Sequence, residues 1–139
     1  MPGRPVASRR TVLRGVALTP VAGLGAAACS PGETGPARPT APVDLGAESE
    51  VPEGGARLYR DHNVVVSRGG DGTLTAYSTI CTHARCPANR LEGTTLICPC
   101  HGSEFDATTG EVLREPATVP LAKLPVRVSG GRIVAGPDA

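Results

Sequence analysis

Leu74-Thr75-Ala76-Tyr77-Ser78-Thr79-Ile80 runs directly into Cys81-Thr82-His83-Ala84-Arg85-Cys86. In the same way, Thr94-Thr95-Leu96-Ile97 runs directly into Cys98-Pro99-Cys100-His101-Gly102-Ser103. Each stretch is a short apolar or alternating run, read as a β-strand, that opens into a loop rich in metal-ligating side chains. Leu74, Ala76, Ser78 and Ile80 are expected on one face of the first strand, with Thr75, Tyr77 and Thr79 on the other. The same grammar continues on both sides. Leu58 and Val64-Val65-Val66 precede the turn Gly69-Gly70-Asp71-Gly72, and a turn over 106–110 leads into Glu111-Val112-Leu113. Leu124, Val126 and Val128 alternate, and Gly130-Gly131 then forms a two-residue hairpin into Arg132-Ile133-Val134-Ala135. Many short strands with frequent turns predict an all-β fold, a small antiparallel sandwich or barrel.

Composition agrees. The 139 residues include 18 Gly and 14 Pro, too many for a helical bundle. Tyr59, Tyr77 and Phe105 are the only aromatics, so the core rests on Val, Leu and Ile and is thin. A domain this small with such a core usually needs a staple or a metal. The formal charge is +1, but Arg4, Arg9, Arg10 and Arg14 crowd the first fourteen residues. Beyond residue 28, ten basic and 13 acidic residues leave about −3, which excludes a nucleic-acid partner.

The N-terminus reads as an export signal over 1–28. Ser8-Arg9-Arg10-Thr11-Val12-Leu13-Arg14 resembles the twin-arginine motif, and an apolar run over 15–28 follows. That run is too short to span a bilayer as an ordinary helix. It ends in Ala26-Ala27-Ala28-Cys29, which resembles a lipobox, with Ala26 where Leu is usual. Lipidation of Cys29 is expected, with residues 29–43 as a Pro- and Gly-rich tether and 44–139 as the folded domain. These features imply twin-arginine export and a lipoprotein on the outer face of the cytoplasmic membrane. An uncleaved anchor is the alternative.

The remaining four cysteines, Cys81, Cys86, Cys98 and Cys100, fall within twenty residues together with His83 and His101. Cys-x-His and Cys-x-x-His each offer one thiolate and one imidazole, suited to iron–sulfur chemistry or to zinc. Cys86 and Cys100, one in each box, can bridge the loops, and such a bond persists in an exported protein. A Cys₂His₂ structural zinc site beside a disulfide, or two disulfides without metal, are the alternatives from the residues alone.

Cys-Thr-His-x-x-Cys followed by Cys-Pro-Cys-His-Gly-Ser resembles the Rieske iron–sulfur proteins, over roughly residues 44–137. The resemblance implies a Rieske fold with a cluster-binding subdomain of two loops and one [2Fe-2S] cluster per chain. Cys81 and Cys98 would hold one iron, and His83 and His101 the other. Imidazoles in place of two thiolates remove negative charge and raise the potential. A disulfide between Cys86 and Cys100 resembles the Rieske subunits of cytochrome bc complexes, whereas Rieske ferredoxins and oxygenases typically lack both cysteines. By the same resemblance Ser103 donates to a cluster sulfur, and Glu115-Pro116-Ala117-Thr118 covers the cluster from a third side, with Pro116 tuning it. Phe105 stands where the bc type has Tyr, and Ala84-Arg85 replaces Leu-Gly.

The function implied is single-electron transfer outside the cytoplasm, as a bc-type subunit or a stand-alone carrier. The redox partner would be a quinol–cytochrome complex or another oxidoreductase, with the membrane reached through the N-terminal anchor. No nucleophile–base pair and no mononuclear iron motif accompany the boxes, so no substrate site of the chain's own is expected. A ferredoxin-like component of an oxygenase is the rival reading. His62, Tyr59 and Tyr77 are assigned to surface and strand packing.

Overall fold

The computed structural model describes residues 36–139. The export-like segment and Cys29 lie outside the described residues. Eleven strands follow in order: β1 Val43–Ala47, β2 Ala56–Tyr59, β3 Val64–Arg68, β4 Leu74–Ser78, β5 Arg90–Glu92, β6 Thr95–Ile97, β7 Glu104–Asp106, β8 Val112–Arg114, β9 Lys123–Leu124, β10 Val126–Ser129 and β11 Arg132–Ala135. They form three sheets, β1-β11-β10, β2-β3-β4-β9 and β5-β6-β7-β8. Their pairings are antiparallel, as the turn-rich pattern predicts.

The sheet built on β3 and β4 divides the core. Val64, Val66, Ala76 and Leu124 face Leu45, Val51, Ile133 and Ala135. Val65 and Tyr77 face the other way, into a cluster with Leu96, Phe105, Ala107 and Leu121. The alternation expected along residues 74–80 holds through β4, with Leu74 and Ala76 on one face and Tyr77 on the other, but neither face is an outer one. Both faces are covered, and a sheet covered on both sides loses the polar-out signal. Ile80 also leaves the strand and makes an isolated bridge to Pro87.

Both glycine hairpins form where expected. Asp71 accepts the Thr73 N–H at 2.9 Å in the β3–β4 turn, and Ser129 pairs with Arg132 across Gly130-Gly131. Gly110 is needed for a different reason. Its φ is +78°, and a Cβ there would lie 2.5 Å from the Tyr77 ring. Only glycine allows that ring to pack against the turn between β7 and β8.

This arrangement places three loops together. The first Cys/His box joins β4 to β5, the second joins β6 to β7, and residues 115–122 join β8 to β9. Part of the expected tether lies along the domain. Asn63 Nδ2 donates to the Ala37 carbonyl at 2.9 Å, and a Cβ on Gly136 would sit 2.7 Å from the Ala41 carbonyl. Among the described residues no helix is long and apolar enough to cross a membrane.

Candidate metal centre

The two boxes fold as copies of one backbone loop. In the first, the Cys81 N–H donates to the Cys86 carbonyl and the Arg85 N–H to the Cys81 carbonyl, both at 2.9 Å. In the second, the Cys98 N–H donates to the Ser103 carbonyl at 2.9 Å and the Gly102 N–H to the Cys98 carbonyl at 3.1 Å. The fifth residue of each loop is left-handed, Arg85 at φ +59° and Gly102 at φ +78°. Each loop therefore sinks its first cysteine into the core and lifts its histidine outward.

The side chains follow that division. Cys81 and Cys98 are free and buried, at 2% and 1% exposure. His83 and His101 are exposed, with ring centroids 4.8 Å apart and planes at 84°. Cys86 and Cys100 form a disulfide across the loops, with Cα atoms 6.5 Å apart. The sulfurs of Cys86, Cys98 and Cys100 lie within 4.8 Å of one another. Two of these three are bonded to each other, so Cys98 alone keeps a thiol there.

Burial pushes the Cys98 thiol up. The adjoining Cys81 sulfur adds to this, while the N–H groups of Cys100 and His101 pull the other way. Two neighbouring buried thiols give up their protons when a metal cation binds in their place. With two adjacent imidazoles on the same two loops, the donor set fits a small centre bound by both sulfur and nitrogen, as a [2Fe-2S] cluster with mixed ligation requires.

The third loop is stitched to both boxes. Thr82 Oγ1 donates to the Val119 carbonyl at 2.6 Å. Ser103, fully buried, accepts the Ala117 N–H on its Oγ at 3.0 Å. These ties put Pro116 beside the second box. Phe105 has 0% exposure and packs in the same cluster as Cys81 and Cys98. Sequence reasoning missed Thr82 and Val119. A threonine beside a ligand position is a visible signal, but its partner is a backbone carbonyl 37 residues away.

Residues 41–125 match the family model of the Rieske [2Fe-2S] domain. The chain is 37% identical over 106 residues to the cytochrome b6-f complex iron-sulfur subunit of Chlorobaculum thiosulfatiphilum, covering 71% of this chain and 57% of that protein. It is 42% identical over 76 residues to the cytochrome bc1 complex Rieske iron-sulfur subunit of Corynebacterium diphtheriae, covering 49% of this chain and 19% of that one. The chain thus spans only part of the curated relatives it matches. Among solved structures, the plasma membrane Rieske protein of Synechocystis PCC 6803 aligns with a TM-score of 0.52 and 32% identity, covering 67% of this chain and 97% of that one. With the domain match spanning most of the described fold, the chain belongs to the Rieske [2Fe-2S] family.

Proposed function

We propose that this protein carries single electrons through a [2Fe-2S] cluster held by Cys81 and Cys98 on one iron and by His83 and His101 on the other. The observation that carries this reading is the pairing of two buried thiols with two exposed, adjacent imidazoles on matched loops. When bound, the cluster supplies one-electron oxidation and reduction. The chain's own residues set its surroundings. Buried Cys81 and Cys98 keep water from the inner ligands, and the exposed rings of His83 and His101 form the face a partner can reach. The Cys86–Cys100 disulfide and the Ser103 and Thr82 hydrogen bonds hold three loops in register. The Ser103 oxygen accepts from Ala117, so its own proton is free to donate toward the centre.

The identity to b6-f and bc1 subunits and the disulfide favour a partner of the quinol–cytochrome class over an oxygenase. The sequence features of residues 1–29 support twin-arginine export, lipidation at Cys29 and placement at the outer face of the cytoplasmic membrane. The chain's activity is tested by reducing the purified protein with dithionite and titrating its potential by electron paramagnetic resonance. A reversible one-electron signal is expected. Stoichiometric zinc without such a signal would overturn the reading.

A further inference from the structure

Arg85 occupies a backbone position that its fold does not favour. The matched loop places Gly102 at the same left-handed site, where glycine is free of Cβ strain. The loop's hydrogen bonds go with a left-handed fifth residue in both boxes, so an arginine there carries Cβ strain that a glycine would avoid, and a strained residue beside a functional centre points to a role for its side chain. That side chain is exposed, two residues beyond His83. It lines a groove of about 420 Å³ together with Arg38, Ala37, Thr40, Ser78 and Ile80.

Arg38 is held in place independently. Asn63 grips the carbonyl just before it, and the close approach at Gly136 fixes the chain just after it. No carboxylate lines the groove. The adjoining hollow adds Lys123 and one acid, Asp138. Five other arginines are engaged in ion pairs, but Arg38 and Arg85 are in none among the described residues. This local excess stands on a domain with ten basic and twelve acidic residues over 36–139. Charge concentrated against the net sign of a surface steers an oppositely charged partner and fixes how it docks.

We propose that the Arg38–Arg85 groove is the landing site of an acidic redox protein, whose carboxylates meet the two guanidinium groups and bring its redox centre against His83 and His101. This rests on the electron-transfer reading and adds the partner's chemistry to it.

Two measurements on the full chain test the proposal. Hexacyanochromate(III), a redox-inert paramagnetic trianion, should selectively broaden the amide signals of Ala37, Arg38 and Thr40. Arg38→Glu with Arg85→Glu should abolish that broadening. Arg85→Gly, which relieves the left-handed strain and is expected to fold, should weaken it. Even broadening over the surface, or broadening that survives the double reversal, overturns the groove. In the second measurement the reduced protein gives one electron to ferricyanide, forming ferrocyanide. The double reversal should slow this at low salt by about tenfold and speed the reaction with cationic tris(phenanthroline)cobalt(III). Equal changes with both oxidants would overturn the proposal. Selective broadening in a chain that shows no redox signal would instead sink the electron-transfer reading and support anion recognition by the groove.

Discussion

The backbone N–H of Ala117 donates to the hydroxyl oxygen of Ser103 at 3.0 Å, with both residues buried. One hydrogen bond thus ties the loop after β8 to the second Cys/His box. It also settles the direction of the serine, whose oxygen is used as an acceptor and whose proton remains to be given. Ser103→Ala removes the acceptor and strands a buried N–H, which costs about 1–3 kcal/mol. Denaturant unfolding of the oxidised protein should show that loss. An unchanged midpoint and slope would mean that the third loop is held by other contacts.

The Cys86–Cys100 disulfide closes a short chain loop, with a sequence separation of 14. For a loop of that size the lost unfolded-state entropy corresponds to about 3 kcal/mol. Replacing both cysteines with alanine should lower stability by that order and release the centre faster on heating. Absorbance in the visible range and chemical denaturation follow the two effects separately. A double variant as stable as the parent would contradict the stapling role.

Phe105 lies in the same buried cluster as Cys81 and Cys98, with no exposed surface. A tyrosine there would need a partner for its hydroxyl, and a ligand sulfur is the candidate. A donor stabilises the reduced centre more, because reduction adds negative charge to the sulfurs. A differential of about 1–1.5 kcal/mol for one such bond corresponds to a rise of roughly 40–65 mV in a one-electron potential. Phe105→Tyr should show this rise without loss of stability. An unmoved potential together with a destabilised fold would mean that the hydroxyl finds no sulfur.

Asp106, at the end of β7, gives a pH dependence of known sign. Burial pushes its carboxyl up, but hydrogen bonds from the hydroxyl and N–H of Thr108, and from Thr109, outweigh this and hold it below the usual carboxylate range. A folded-state value below the unfolded one means stability that is present above about pH 4 and lost as pH falls through the folded value. Asp106→Asn should therefore be less stable than the parent at neutral pH, and the gap should narrow in acid. Unfolding free energies measured across pH 2–7 check this. A gap that widens in acid would reverse the assignment.

The boxes, both glycine hairpins and the strands leading into each box were legible because their signals are local: ligand spacing, turn glycines and apolar runs. β5 and β7 were not. Arg90-Leu91-Glu92 and Glu104-Phe105-Asp106 each hold one apolar residue between charges, and they become strands through pairing, both with β6, as in Leu96 against Phe105, and β7 also with β8. The face assignment along β4 held, with Ala76 and Tyr77 buried in opposite cores, but the sequence did not show that both faces are covered. Within the site, the two boxes fold as loops that follow strands, and Cys86 and Cys100 are bridged as the resemblance implied. The ties from Thr82 to Val119 and from Ser103 to Ala117 were not legible, because one partner in each is a backbone group on a distant loop.

The central claim is mixed ligation, with two sulfurs and two imidazole nitrogens from these loops. Pulsed electron paramagnetic resonance on the dithionite-reduced protein, with histidine labelled in nitrogen-15, tests it most directly. Two strongly coupled histidine nitrogens, two irons and two sulfides per chain are expected, with loss of one coupling in a His83→Cys variant that still holds iron. A reduced centre with no strongly coupled histidine nitrogen, or couplings unchanged in that variant, would contradict it.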